Sequence, residues 1–259
     1  MNATIAVPSG GNCFEGHFPR QPILPGIAEL VLVLETLARE TRHPVILRGL
    51  AFARLRQLVL PGDRLELTAR ERDDGHLRFD LRREGVLVAN GELILGPFDG
   101  PCQAVASLVV AACPMLTAPQ LDALLPQRPP MRFVTAILST TADGLICTAC
   151  VPAACVLVCD GSAPALVGLE AAAQAAAAWE SMLRWREGGI AAPRVGYLVA
   201  LRDVVLFAER LPADQSLLTS VRLEAAAPPL THYRAEVSLG SMPIVRGTIA
   251  TFLTSGGGA

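Results

Sequence analysis

Hydrophobic and polar residues follow two different periods along the first half of the chain. An apolar stretch with helical spacing, IAELVLVLETLARE, follows Pro25-Gly26 and ends before Pro44. Extended segments surround it and are separated by turn sequences such as PGD, DDG and EG. The predicted strands of this half are Thr4–Pro8, Val45–Leu60, Arg64–Arg72, His76–Arg83 and Val86–Leu95.

The second half repeats this order of elements. Its apolar helix, PALVGLEAAAQAAAAWESMLRWRE, is closed by Gly188-Gly189. The repetition indicates two tandem copies of one structural unit. The predicted strands of the second copy are Arg132–Leu138, Leu145–Val151, Val195–Ala208, Ser216–Glu224, Thr231–Leu239 and Ile244–Leu253.

These boundaries predict two domains, at residues 1–97 and 117–254. The segment 98–116 is rich in proline and small residues and is predicted to be a linker, and the glycine-rich tail 255–259 is predicted to be disordered. Both helices are apolar nearly all round, so each must be buried on every side. We therefore predict an α+β fold, in which a curved antiparallel sheet wraps each helix and the two sheets join at an edge.

Composition narrows the class of protein. Half of the residues are hydrophobic, 18% are charged and the mean hydropathy is +0.42, which favours a well-buried globular protein. The net charge of -2 gives no sign of a nucleic-acid partner. All 22 cationic residues are arginine, so a lysine nucleophile or Schiff base is excluded. We see no signal peptide and no membrane span, and we expect a cytoplasmic protein.

Seven cysteines with irregular spacing argue against a disulfide framework. Four of them cluster, but Cys147 and Cys150 lie three apart on a predicted strand and point to opposite faces. We expect small buried thiols and no metal site, while the role of the cluster stays open. The cluster consists of Cys147, Cys150, Cys155 and Cys159.

The segment GHFPRQPILPG, from Gly16 to Gly26, carries the strongest chemical signal. Its prolines and glycines predict a rigid loop that enters a helix at Gly26. A histidine on such a loop, His17, can face the free N–H groups of the helix N-terminus, which stabilise negative charge. A base beside an oxyanion site is what removal of a proton alpha to a thioester requires.

This segment resembles the GHFPGxPxxPG motif of beta-hydroxyacyl-acyl-carrier-protein dehydratases, with Arg20 as the main departure. The first half, with PGDRLEL and GVLVANGELIL, is similar to the smaller dehydratase subunit of aryl polyene pigment clusters. The second half, with LLPQRPPM, LVGLEAAAQAAA and YLVALRDVVL, is similar to the larger partner dehydratase. The resemblance implies a double hot-dog fold and removal of water from a 3-hydroxyacyl thioester, with a loop histidine as base and a carboxyl on the central helix as acid.

The family's site residues map onto the two halves in a complementary way. His17 is the base of the first half, but the position six residues beyond its Pro-Gly proline is Val31. In the second half the position six beyond Pro164 is Glu170, whereas the place of the base is taken by Val156. Because the family's site is shared across a dimer interface, we expect His17 and Glu170 to form one composite site and the mirror site to be inactive.

Four further residues are expected to hold the oxyanion or the substrate, namely Phe18, Pro25, Gly26 and Gln174. Gln174 would either hydrogen-bond Glu170 or line the pocket. Glu35 is weighed as a displaced acid, and Glu29 is interpreted as a surface or interface charge. Gln127 stands where relatives often carry a structural histidine.

The resemblance also implies partners. An acyl carrier protein would present the substrate on its phosphopantetheine arm, and the protein itself needs no cofactor. Five arginines are candidates for docking an acidic carrier protein, with an ordinary solvated face as the alternative, namely Arg20, Arg39, Arg42, Arg184 and Arg186. The chain would be a pseudo-dimeric monomer, and further homodimerisation stays open. Two alternatives are a hot-dog acyl thioesterase and an inactive scaffold that binds carrier protein.

Overall fold

The computed structural model describes residues 1–11, 14–18, 21–72, 74–98, 114–188 and 195–253. Within these ranges no helix combines the length and the apolar character that a membrane crossing requires. The predicted linker falls mostly on residues outside the described ranges, as does the predicted tail. The domain boundaries therefore stay predictions.

The described residues of the first half form one helix and five strands, close to the expected positions. Helix α1 spans Gly26–Thr41. The strands are β1 (Asn2–Ala6), β2 (Leu47–Leu55), β3 (Arg64–Glu71), β4 (His76–Arg83) and β5 (Val86–Leu95).

The second half contains the long helix α3 (Gly168–Gly188), preceded by one turn of 3-10 helix at Ala165–Val167, and a short helix α2 (Ala118–Leu121) that was not predicted. Two short strands that were not predicted, β8 (Ser162–Pro164) and β10 (Arg210–Pro212), pair with each other. The sequence pattern indicated a loop entering the helix at the first and a turn at the second. The other strands are β6 (Val134–Thr140), β7 (Gly144–Ala149), β9 (Gly196–Leu206), β11 (Leu217–Ala227), β12 (Leu230–Leu239) and β13 (Met242–Leu253).

Eleven strands form one continuous sheet in the order β1-β3-β4-β5-β2-β9-β13-β12-β11-β7-β6. Every pairing is antiparallel. The first five strands come from the first half and the other six from the second, so within the described part of the sheet the two halves meet at the β2–β9 pair. This arrangement confirms the predicted α+β class and the joining of two sheets at an edge.

The junction between the halves depends on close backbone approach. Gly49 of β2 lies opposite Val205 of β9, and Ala53 lies opposite Leu201. A Cβ atom on Gly49 would lie 2.3 Å from the backbone oxygen of Val204. A larger residue at Gly49 would therefore separate the two strands that make the sheet continuous.

The two helices are buried to different extents. Helix α3 is covered nearly all round, and Ala171, Ala172, Ala175 and Ala176 have no exposed surface. Helix α1 is buried over its first turns but presents a polar face near its end, at Glu35 and beyond. The expectation of an all-round apolar helix thus holds for α3 and for the part of α1 that the second half covers.

Candidate active site

The loop that carries His17 is fixed against the second half of the chain. The backbone N–H of Arg128 donates to the carbonyl oxygen of Gly16 over 2.7 Å. Gly16 has a φ of +77°, and a Cβ atom there would lie 2.1 Å from the backbone oxygen of Arg128. Glycine is therefore required immediately before His17 for the loop to contact the other half.

The imidazole of His17 is buried and is held in one tautomer. Its Nδ1 lies 3.2 Å from the backbone oxygen of Ile23. Since a carbonyl oxygen can only accept, Nδ1 carries the proton and Nε2 keeps a lone pair. Burial lowers the pKa of His17 to about 4, against the hydrogen bond to Ile23, which raises it. His17 is consequently neutral near pH 7, as a base must be.

Aromatic contacts complete the wall beside His17. The ring of Phe18 lies 4.2 Å from the imidazole, centroid to centroid, and meets the ring of Tyr197 edge-on at 5.9 Å. Tyr197 belongs to β9, so this contact also crosses between the halves. The base is thus oriented by groups from both copies of the repeated unit.

Helix α1 begins at Gly26 without a side-chain cap. Pro25 is the N-cap residue and makes no capping hydrogen bond, and the first helical bond in this turn runs from the N–H of Glu29 to the oxygen of Pro25 over 3.1 Å. Among the described residues the N–H groups of α1 before Glu29 make no backbone hydrogen bond, so they remain available at the positive end of the helix. Gly26 lies on the wall of the same cavity as His17, which suits the expected oxyanion site.

Glu170 stands on the one stripe of α3 that faces open space. Ala173, Ala177 and Ser181 follow it at spacings of three and four residues and line the same cavity. The small side chains of Ala173 and Ala177 leave space in the cavity beside the helix. Glu170 itself is only 4% exposed. Helix α3 thus presents a carboxyl at one end of a narrow strip of small side chains.

The Glu170 carboxyl is held by Gln174, one turn further along α3. The Gln174 Nε2 donates to Glu170 Oε1 over 3.1 Å and to the backbone oxygen of Met131 over 2.7 Å. Its Oε1 accepts from the backbone N–H of Phe133 over 2.8 Å. Gln174 therefore ties Glu170 to the chain and does not itself line the cavity, which decides between the two expectations for this residue.

Burial raises the pKa of Glu170 above its usual range, against the hydrogen bond from Gln174, which lowers it. A carboxyl that keeps its proton at higher pH is a suitable proton donor. His17 and Glu170 thus have pKa values shifted in opposite directions by the same cause, loss of water. A neutral base and a protonated acid can coexist in one site under these conditions.

Both side chains line one cavity of about 330 Å³. This volume lies in the range of small-molecule sites, roughly 300–1,000 Å³. Strands β9 and β13 of the second half supply much of the opposite wall. The residues that line this cavity include Phe18, Ile23, Leu24, Gly26, Leu55, Tyr197, Leu198, Phe252 and Leu253.

The mirror positions carry no comparable chemistry. Val31 is 4% exposed within the hydrophobic core, and Val156 is 43% exposed on the surface. Neither side chain can donate or accept a proton. The acid and the base that the described residues bring together therefore lie on one side of the pseudo-dimer.

Two carboxylates fall elsewhere than expected. Glu35 is exposed on α1 and does not line the cavity, so the structure gives no support to a displaced acid. Of the two interpretations of Glu29, the surface charge is wrong, because this side chain is 3% exposed. The interface position fits, because Glu29 lines a cavity that residues of both halves share. The second half of the chain covers the first turn of α1, where Glu29 lies. The pattern of residues along one helix does not predict contacts with a distant part of the chain.

Gln127 also lines the cavity, a position that was not predicted from the sequence. It is 5% exposed, and its Oε1 has no hydrogen-bond partner among the described residues. Pro25 adjoins the cavity as the N-cap of α1. Arg184 lies on the cavity wall, where its Nη2 donates to the hydroxyl oxygen of Ser181. Arg20 lies outside the described residues.

The four clustered cysteines do not form a common site. Cys147 is buried on β7 with a pKa raised to about 12 by burial, whereas Cys159 is exposed. Within the described ranges, the one group of side chains spaced to hold a metal ion is Asp74, His76 and Glu92. That group is already engaged, because the Arg72 guanidinium contacts Asp74 at 3.5 Å and Glu92 at 3.4 Å.

Two family models match the two halves of the chain. The ApeP-like dehydratase model matches residues 119–256, and the ApeI-like dehydratase model matches residues 1–92. The chain therefore belongs to the ApeP-like dehydratases and carries an ApeI-like dehydratase domain before this part. The resemblance inferred from the two sequence halves is confirmed.

Curated relatives match a part of the chain. A 3-hydroxyacyl-acyl-carrier-protein dehydratase FabZ of Mannheimia succiniciproducens is 46% identical over 67 residues, which is 21% of this chain and 42% of the relative. The same enzyme of Sorangium cellulosum is 33% identical over 103 residues, covering 33% of this chain and 64% of the relative. The chain thus spans less than two thirds of the length of either relative.

A solved structure covers the whole fold. A dehydratase domain of a trans-AT polyketide synthase from Brevibacillus brevis aligns with a TM-score of 0.73 at 14% identity, over 98% of this chain and 94% of that one. At this identity the likeness shows the fold alone. The fold is the predicted double hot-dog.

Proposed function

We propose that this protein removes water from a 3-hydroxyacyl thioester to give a trans-2-enoyl thioester, using one composite site. The observation that carries the proposal is that His17 of the first half and Glu170 of the second line one cavity, with opposite pKa shifts. Membership of a dehydratase family and the FabZ relatives support the same reaction.

The reaction divides between the two side chains. Nε2 of His17 takes the proton from C2, and the electron pair released there forms the C2–C3 double bond as the C3–oxygen bond breaks. Glu170 gives its proton to the departing hydroxyl, which leaves as water. His17 then carries one proton more and Glu170 one fewer, and exchange with solvent restores both.

The surroundings suit each step. The Ile23 carbonyl accepts from Nδ1 and stabilises the imidazolium that forms on His17. The N–H groups at the uncapped start of α1 are placed to stabilise charge on the thioester oxygen. Ala173 and Ala177 leave room along α3 for the acyl chain.

We further propose that the substrate arrives on the phosphopantetheine arm of an acyl carrier protein, as the names of the FabZ relatives suggest for those enzymes. The chain would act as a pseudo-dimeric monomer in polyketide-like or fatty-acid-like chain elongation. A cytoplasmic location is part of the proposal.

The test is an assay of the full-length protein with 3-hydroxyacyl thioesters of several chain lengths, on carrier protein and on coenzyme A. Formation of the enoyl thioester, followed by mass spectrometry, is the expected result. Release of free acid from the thioester would indicate a thioesterase instead. Binding of the acyl carrier protein without turnover of any substrate would indicate a scaffold.

A further inference from the structure

Glu29 is the second carboxyl of the cavity and has no assigned task. It lies in the first turn of α1, three residues after Gly26, and is buried. Its Oε2 has no hydrogen-bond partner among the described residues. A buried polar atom without a partner destabilises the fold, so its retention on a cavity wall points to a ligand that completes the bond.

The position of Glu29 relates it to the start of α1. Side chains on a helix lean toward its N-terminus, so this carboxyl leans toward Gly26 and the free N–H groups. Glu29 and Gly26 line the cavity together with His17 and Leu24, which belong to the loop that enters α1. Glu29 is therefore on the side of the cavity where the base and the expected oxyanion site lie.

The protonation state of Glu29 decides what it can do. Burial raises the pKa of Glu29 well above its usual range. Among the described residues no cation forms an ion pair with it. A neutral carboxyl can donate from its O–H to an oxygen that gains negative charge, whereas an ionised one would repel it.

We propose that Glu29 is a second hydrogen-bond donor to the thioester carbonyl oxygen, acting beside the N–H groups at the start of α1. This inference rests on the proposed dehydratase function. As His17 removes the C2 proton, negative charge develops on the carbonyl oxygen, and the Glu29 O–H stabilises it. Glu29 keeps its proton throughout, while the proton for the departing hydroxyl still comes from Glu170.

Two substitutions distinguish the effect of the hydrogen-bond donor on the rate from the effect of side-chain volume. Glu29→Met removes the O–H and keeps a side chain of similar length, whereas Glu29→Gln supplies an N–H donor in its place. Loss of one oxyanion donor typically lowers kcat by about 10²–10³-fold. We expect that loss for Glu29→Met with little change in KM, and recovery to within about tenfold of wild type for Glu29→Gln. The matched controls are Glu35→Met and Glu35→Gln, at an exposed position of the same helix.

A second measurement distinguishes Glu29 from the acid. His17 takes the C2 proton of a 3-alkynoyl thioester and returns it to C4, which gives an allene. The neutral Nε2 then adds to C3 of the allene and is alkylated, and no hydroxyl departs in this conversion. We expect Glu29→Met to slow labelling of His17 by the factor that it slows turnover, whereas Glu170→Gln should slow turnover far more than labelling. Intact-mass spectrometry with peptide mapping follows the adduct.

The outcomes are distinct. Full-rate labelling in Glu29→Met together with lost turnover would overturn the proposal, because Glu29 would then act on the departing hydroxyl. Wild-type values for both would also overturn it. If Glu29→Met does not fold by circular dichroism, Glu29→Ala replaces it, and a Glu29→Gln variant as impaired as Glu29→Ala contradicts the proposal. Wild-type protein without either reaction would instead refute the dehydratase function.

Discussion

Gln174 donates from Nε2 to Oε1 of Glu170 over 3.1 Å, and the two residues are one turn apart on α3. The same amide group bonds the backbone of Met131 and Phe133. The acid of the proposed site is thereby connected to the loop before β6, so the position and the pKa of Glu170 depend on one fully buried side chain.

Replacing Gln174 should therefore affect both activity and stability. In Gln174→Met, Glu170 loses a donor that lowers its pKa, so the alkaline limb of the activity profile should move to higher pH. The unpaired backbone groups should lower the free energy of unfolding by about 2–4 kcal/mol. Urea unfolding and pH–rate profiles measure the two effects. Gln215→Met, at an exposed position, should change neither.

Turnover should depend on His17 and Glu170 as a unit. We expect His17→Ala and Glu170→Gln each to lower kcat by about 10²–10⁴-fold while the fold is kept. The double variant should be little slower than the slower single one, because each residue needs the other. His43→Ala and Glu35→Gln serve as controls at exposed positions. A single variant with near-wild-type turnover on a good substrate would contradict the composite site.

The pH dependence of kcat/KM should have both limbs displaced from the ordinary values of their groups, the acidic limb downward and the alkaline limb upward. His17 must be neutral, and its pKa of about 4 places the acidic limb well below the ordinary histidine value. Glu170 must be protonated, and its raised pKa moves the alkaline limb upward from the ordinary carboxyl range. Rates measured between pH 4 and 10, at pH values where circular dichroism shows a folded protein, test this. An acidic limb near pH 6.5 would show that His17 is solvated or is not the base.

Glu170→Gln should stabilise the protein, and more so as pH rises. The folded state holds the Glu170 proton above the pH at which the unfolded chain, with its ordinary pKa near 4.5, releases it. The folded wild type thus binds more protons than the unfolded chain in this window, and its stability falls with pH by up to about 1.4 kcal/mol per unit. Glutamine does not titrate, so the variant does not lose stability in this way. Thermal melts at pH 5 and pH 8 should show that the variant is stabilised relative to wild type more at pH 8 than at pH 5. Equal stabilisation at both pH values would indicate that Glu170 titrates normally.

The sequence determined more of the fold than of the site. Periodicity located both central helices and all but the short strands, because a helix spacing and a strand alternation are local properties of the chain. The loop motif at Gly16–Gly26 and the carboxyl at Glu170 were also readable, since each stands out against its own apolar surroundings. The short pair β8–β10 was missed, because three residues carry too little pattern to predict a strand.

Tertiary structure alone decided which polar residues share the cavity. Glu29 and Glu35 look alike on the helix pattern, yet packing of the second half covers Glu29 and leaves Glu35 exposed. From the sequence, Gln174 could have faced either the substrate or the protein interior. Its hydrogen bonds to the backbone of Met131 and Phe133 hold it in the protein interior. The pKa shifts of His17, Glu29 and Glu170 follow from burial between two copies of the unit. Burial of this kind depends on contacts between residues far apart in the chain, and local patterns do not contain them.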